Sequence, residues 1–205
     1  AIDSQATLAV GPVPVVGEDK TLDSGFTIRA EKAPNARGVR RVLDALGGTP
    51  PLEADAFRTA VERNEFAAVV LCGNYPKNWV SSDWAQALSG TPFVLLDTLN
   101  NPLVSGAEVV LPTATFAEKA GCFQNALDRV QSFKRAITPI DYVKSEGQLG
   151  LDLCALHLAT PVEMFDPFAL QAAIGALPGL AGFAASVEHP TDATRVESDM
   201  VHVTL

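Results

Sequence analysis

The residues Ala67-Ala-Val-Val-Leu-Cys-Gly-Asn-Tyr-Pro76 decide the fold. Ala67 to Cys72 is an unbroken apolar run, and Gly73-Asn74-Tyr75-Pro76 stops it abruptly. A short apolar run bounded by turn residues predicts a strand buried on both faces. Downstream, Trp84, Ala85 and Leu88 predict a short helix closed by Gly90. Phe93-Val-Leu-Leu96 predicts a second buried strand ending at Asp97, and Glu108-Val-Val-Leu111 a third ending at Pro112. Strands alternating with short helices imply parallel βαβ connections. The expected fold class is α/β, a Rossmann-like parallel sheet with flanking helices.

Upstream, Val39, Val42, Leu43 and Leu46 recur at helical spacing, with Gly47-Gly48 as the stop. A second helix over Glu53 to Asn64 carries Ala54, Phe57, Ala60 and Val61 on one face. Before both lies Gly11-Pro-Val-Pro-Val-Val-Gly17. Two prolines there fix φ and remove two N–H donors, so residues 1–28 are expected to form an extended arm. Beyond Pro112, Thr113 to Lys119 suits one helical turn or two, and Gly121 to Asn125 suits a loop. Arg129 to Ile137 suits an exposed strand. Glu146 to Leu158 and Phe168 to Leu177 suit helices, and Ser186 to Leu205 an extended, irregular tail. The organisation expected is an arm (1–28), an α/β domain (29–160), and a C-terminal helix and tail (161–205).

The chain has 205 residues, 47% hydrophobic and 19% charged, which suits one domain with an appendage and excludes a disordered or collagen-like chain. Net charge is −9, from 15 Lys+Arg against 24 Asp+Glu. Nonspecific nucleic-acid or anionic-membrane binding needs a basic footprint, so neither is expected. No apolar stretch approaches the roughly 18 residues of a membrane helix, so direct membrane insertion is not expected. Cys72, Cys122 and Cys154 lie far apart, are odd in number and form no CxxC. They read as buried thiols in a reducing compartment, with Cys122 the most exposed of the three. The N-terminus shows no secretory pattern, and a cytoplasmic location is expected.

In an open parallel sheet, ligands bind at the carboxyl ends of the strands. Three such ends are visible: Gly73-Asn74, Asp97-Thr98 and Leu111-Pro112. Gly73 permits a close backbone approach, Asn74 offers a donor and an acceptor, and Asp97 is suited to accept hydrogen bonds from a guanine edge or a ribose. The same residues also form turns and caps. No GxGxxG, GxxxxGK[ST] or GxSxG occurs. His157, His189 and His202 are scattered, and Glu118, Asp128 and Asp141 lack metal-ligand spacing and read as solvated.

One stretch reaches a family. Ala107-Glu-Val-Val-Leu-Pro-Thr-Ala-Thr-Phe-Ala-Glu-Lys-Ala-Gly-Cys-Phe-Gln-Asn-Ala-Leu-Asp-Arg-Val-Gln131 resembles the "ADVVLP…E-x-x-G-T-F-x-N…R-x-Q" stretch of molybdopterin oxidoreductases. Its Ala-Thr-Phe-Ala-Glu-Lys version looks most like the large iron–sulfur subunit of NADH-quinone oxidoreductase (respiratory complex I), with formate dehydrogenases as relatives. Ala68 to Pro76, Phe93 to Asp97 and Ile28 to Gly38 resemble further segments of that family.

The resemblance implies an α/β domain that binds one half of a bis-molybdopterin guanine dinucleotide cofactor. Carried over by position, Gly73, Asn74 and Tyr75 would border the nucleotide, and Asp97 would face the guanine. Gly121, Phe123 and Asn125 would lie on the pterin side. The departures are specific: no cysteine cluster for iron–sulfur centres, no residue at the metal-ligand position, Cys122 for the family's Thr, and no second nucleotide-binding domain. The expectation is therefore a partial, molybdopterin-oxidoreductase-like domain from the large chain of a complex-I-type enzyme. It would hold no cofactor of its own, the family cofactor site being vestigial, and would catalyse no redox reaction alone. Its partners would be other domains or subunits of a larger oxidoreductase, placing it peripheral to the inner membrane. The alternative is half of a molybdopterin guanine dinucleotide site completed by another chain or domain.

Overall fold

The structure is a computed structural model that describes residues 3, 5–46, 49–140 and 142–184. The expected tail from Ser186 to Leu205, the Gly47-Gly48 helix stop, Asp141, His189 and His202 lie outside the described residues.

The arm behaves as its prolines require. Pro12 and Pro14 act only as acceptors: Tyr75 Oη donates to the Pro12 carbonyl at 2.9 Å and Lys32 N to the Pro14 carbonyl at 2.7 Å. The N–H groups come from neighbours, Val10 to the Leu52 carbonyl at 2.9 Å and Val16 to the Ala30 carbonyl at 2.8 Å. Among its described residues the arm contains no helix, as predicted. It runs into a small antiparallel pair, β1 (Lys20–Thr21) and β2 (Thr27–Ile28).

Two helices follow, α1 (Ala36–Leu46) and α2 (Ala54–Glu62), close to the predicted spans. Arg40 on α1 pairs with Glu53, the residue just before α2. The chain then enters β3 (Val69–Cys72), crosses over through α3 (Ser82–Ala87) and a 3-10 turn at Leu88–Gly90, and forms β4 (Phe93–Asp97). A turn-rich connection leads to β5 (Val109–Pro112). The three strands are parallel in the order β3-β4-β5, with Val70 beside Val94 beside Val109 and Cys72 beside Leu96 beside Leu111. This is the predicted α/β architecture.

Strand alternation sorts these residues onto two faces. Val69, Leu71, Phe93 and Leu95 pack with Val61, Trp84, Leu88 and Leu103 into one core. Phe57 ties α2 into it, its ring 5.6 Å from Phe66 and 5.9 Å from Trp84. The opposite face differs from the prediction of strands buried on both sides: Val70 is 64% exposed and Val109 47%. The described helices α2 and α3 supply core residues to one face only, and β5 is an edge strand.

Beyond Pro112 a 3-10 turn at Phe116–Glu118 meets the expectation of a helical turn. Gly121–Asn125, expected as a loop, is corrected by the structure. Gly121–Gln124 is β6, paired antiparallel with β7 (Val130–Phe133) in a hairpin. Its run is too short to show alternation, and its pairing partner lies across a turn held by Asn125. Two C-terminal helices follow, α4 (Glu146–Leu158) and α5 (Pro167–Gly175). Ser145 and Asp166 cap them, each accepting from first-turn N–H groups. Among the described residues no helix is long and apolar enough to cross a membrane.

Candidate site at the strand carboxyl edge

Asp97 ends β4 and is 5% exposed. A buried carboxylate needs donors, and Asp97 has five. Its Oδ1 accepts from the N–H groups of Asn74 at 3.1 Å, Thr98 at 2.7 Å and Leu99 at 3.3 Å. Its Oδ2 accepts from Trp79 Nε1 at 2.9 Å and Asn101 Nδ2 at 2.8 Å. A carboxylate offers about four lone-pair sites, so these donors saturate it.

Gly73 makes the approach possible. A Cβ at residue 73 would collide with Asp97 Oδ2 and with its carboxyl carbon. Asn74 has φ 63°, the left-handed region that Asn tolerates better than most residues. That turn aims its N–H at Asp97 and its side chain across the sheet edge. Asn74 Nδ2 donates to Glu146 Oε1 at 2.5 Å and to the Ala114 carbonyl at 3.4 Å. Glu146 stands in the first turn of α4 and also holds Lys119 Nζ, at 2.8 and 2.7 Å from its two oxygens. Tyr75 stacks on Trp79 with ring centroids 5.4 Å apart, and its hydroxyl reaches the arm. Burial, and secondarily the Asp97 charge, raise the Tyr75 phenol above its usual pKa.

The structure thus brings Gly73, Asn74, Tyr75 and Asp97 together. The other three residues named from the sequence serve the hairpin. The Phe123 ring lies 4.8 Å from Phe133, Gly121 faces that same ring, and Asn125 Oδ1 accepts from Leu127 N at 2.9 Å and Arg129 N at 3.0 Å. Gln124 N donates to Asn35 Oδ1 at 2.8 Å, docking the hairpin beside α1. Trp79, Asn101, Lys119 and Glu146 were not singled out from the sequence. Asn101-Pro102 and Ser145-Glu146 were readable as turn and helix-start signals, but their partners are set by tertiary contacts.

The thiols are ordered differently from the expectation. Cys72 is exposed on the open sheet face, while Cys122 and Cys154 are half-buried. Cys122 lost its expected exposure by becoming part of β6. Burial of the Cys72 sulfur, reinforced by the Glu146 charge, pushes its thiol up to about 11 even though the residue retains surface. Two acids expected to be merely solvated have partners. Glu118 accepts from Thr115 N and Oγ1, both at 2.8 Å, and Asp128 accepts from Gln124 Nε2 at 3.0 Å. His157 is exposed on α4. Among the described residues no cluster of three or more His, Cys, Asp or Glu could hold a metal ion.

A three-stranded parallel sheet with a buried, saturated carboxylate at its carboxyl edge defines an α/β protein of the kind that builds nucleotide and cofactor domains. The family model "Molybdopterin oxidoreductase" matches residues 17–148, more than half of the chain, and the chain belongs to that family. Comparison with curated proteins gave no match.

Proposed function

We propose that this chain is the α/β part of a complex-I-type large subunit, working through packing and subunit contact without local redox chemistry. The stretch Ala107 to Gln131 supports the complex-I-type assignment. The structural role is carried by one observation, the saturation of Asp97 by five donors of its own chain. A guanine edge would bring N–H donors to a carboxylate with no lone pair left, and a pyrophosphate would need free cations. Lys119, in this cluster, is already held by both oxygens of Glu146. As arranged, these residues do not fit a guanine dinucleotide. Gly73, Asn74, Tyr75 and Asp97 keep the strand-end shape while their polar groups serve internal packing. The open valine row of Val70, Val94 and Val109 is the surface that a further domain or subunit of an oxidoreductase would cover, since parallel sheets are normally buried on both faces. A peripheral position at a membrane would then come through those partners.

The test is direct. Purified chain is assayed for molybdenum, tungsten and iron, for dye reduction with formate or NADH, and for guanosine diphosphate binding by calorimetry. No metal, no turnover and no saturable heat are expected. Stoichiometric metal with turnover overturns the reading. The second reading, a half-site completed by another chain or domain, is favoured by one feature: both donors to Asp97 Oδ2 are side chains, so rotation of Trp79 and Asn101 would free that oxygen. Saturable nucleotide binding without turnover selects it.

A further inference from the structure

The two outer edges of the three-stranded sheet differ. On β5, Thr113 N donates to the Asp97 carbonyl at 3.1 Å, so alternation points the backbone of Pro112 away from β4. Proline has no N–H to offer there. The next outward donor, Ala114 N, is already held by the Lys144 carbonyl at 2.9 Å. A proline and an existing partner guard an edge strand against further pairing. On β3, Val69 N donates to the Pro92 carbonyl at 3.0 Å and Gly73 N to the Leu96 carbonyl at 2.8 Å, so the odd-numbered residues face β4. The N–H and C=O groups of Val70 and Cys72 therefore point outward, and among the described residues β3 pairs with β4 alone. Val70 is 64% exposed, and Cys72 is exposed as well. Residues 66–76 contain no Asp, Glu, Lys or Arg, and Pro76 lies beyond the strand. This edge is apolar, uncharged and unguarded.

The unguarded edge matches itself. Val70 and Cys72 stand symmetrically about Leu71, so a twofold axis at Leu71 sets Val70 of each copy opposite Cys72 of the other. In an antiparallel ladder each such pair exchanges two N–H···O bonds. The side chains brought together on the open face are Val70 and Cys72, with no like charges opposed. The first charged residues on either side of the uncharged strip are Glu65 and Lys77, of opposite sign. Antiparallel pairing sends the Glu65 end of one strand toward the Lys77 end of the other, whereas parallel pairing would set like beside like. Glu65 has Arg63 at only 3.9 Å, and Lys77 has no carboxylate partner among the described residues.

We infer that β3 pairs edge to edge, antiparallel, with β3 of a second copy of this chain, joining two three-stranded sheets into one. Main-chain bonds supply the contact, and the flanking charges select its direction. Four-residue strands bury less than the roughly 1,200–2,000 Å² of a standard interface, so the association is weak and depends on concentration. The inference rests on the backbone of β3 and is independent of the function proposed above.

The experiment uses the full chain. Sedimentation equilibrium from about 10 µM to about 1 mM should show a dimer growing over that range. Amide hydrogen exchange, read by NMR, should slow at Val70 and Cys72 by about tenfold or more between dilute and concentrated samples. Leu71, whose N–H serves β4, should stay protected in both. Val70→Pro deletes an outward N–H that the ladder to β4 does not use, and should weaken the dimer about tenfold or more. Val70→Lys should weaken it as well, since a charge on an edge strand opposes pairing. Val109→Lys, on the same open face but on β5, should change nothing, which separates edge pairing from stacking of the faces. Circular dichroism checks the fold of each variant. A chain that stays monomeric throughout the range overturns the inference, as does a dimer that keeps its strength in Val70→Pro and Val70→Lys. So does protection of the Val70 and Cys72 amides in the dilute monomer, which would mean that a segment of the same chain holds the edge.

Discussion

Trp79 Nε1 donates to Asp97 Oδ2 at 2.9 Å, from a loop residue 18 positions earlier in the chain. The bond fastens the loop after β3 to the end of β4, and with Asn101 it makes a buried charge tolerable. Trp79→Phe keeps the ring and removes the donor. It should cost about 1.5–3 kcal/mol, the range for a hydrogen bond to a charged group. Asp97→Asn should cost more, because an amide places N–H groups where donors already point. Urea unfolding followed by circular dichroism measures both, and a Trp79→Phe variant as stable as the parent would show that Asn101 alone satisfies Oδ2.

Two glycines should respond with opposite signs. A Cβ at Gly73 would run into Asp97 Oδ2, and the carboxylate is tethered too firmly to yield. Gly73→Ala should therefore cost about 1–3 kcal/mol through overpacking. Gly150, inside α4, has no heavy atom within 4 Å of its would-be Cβ. There Gly150→Ala should stabilise by about 0.5–1 kcal/mol through helix propensity. Thermal melts of the two variants should move in opposite directions.

At Asn74, the backbone and the side chain can be separated. Asn74→Gly keeps the φ 63° conformation at no steric cost and loses the bond to Glu146. Asn74→Ala loses the same bond and places a Cβ in the left-handed region, adding about 1 kcal/mol. Equal stabilities of the two variants would mean that the turn relaxes once the side chain is gone.

Cys72 is surface-accessible, yet its thiol is pushed up from 9.0 to about 11. A raised pKa favours the protonated form in the folded state. The stability associated with it is present below the unfolded value and is lost as pH rises through about 11. The thiolate is the nucleophile, so Cys72 should alkylate slowly with iodoacetamide at pH 8 and accelerate as pH approaches 11. Mass spectrometry of quenched samples gives the profile, and rapid labelling of Cys72 at pH 8 contradicts it. Glu146→Gln should bring the onset to lower pH, because a negative charge beside the thiol is removed.

The sheet was legible because its strands are unbroken apolar runs ended by Gly73, Asp97 and Pro112, and those signals are local. The cluster at its edge was legible in part. Parallel strands deliver their ends to one side, so Asn74 and Asp97 had to meet. Glu146 was not readable, because its partner Asn74 lies 72 residues away and no local pattern encodes that distance. The hairpin was missed for a related reason: Gly121-Cys-Phe-Gln124 takes its strand geometry from β7, and by itself resembles a turn. Burial of the second sheet face was overestimated because an apolar residue such as Val70 reports what it prefers to touch, not what the described chain supplies.

The Asn74–Glu146 bond also orders events in time. Asp97 finds its donors between residues 74 and 101, a stretch that leaves the ribosome before Glu146 does and closes short loops. Glu146 emerges later and must close a much longer loop, at a greater entropic cost. A nascent chain ending before residue 146 can therefore assemble the Asp97 clamp while Asn74 still lacks the partner that fixes its side chain. Among the elements that meet at this edge, α4 is the last to be synthesised.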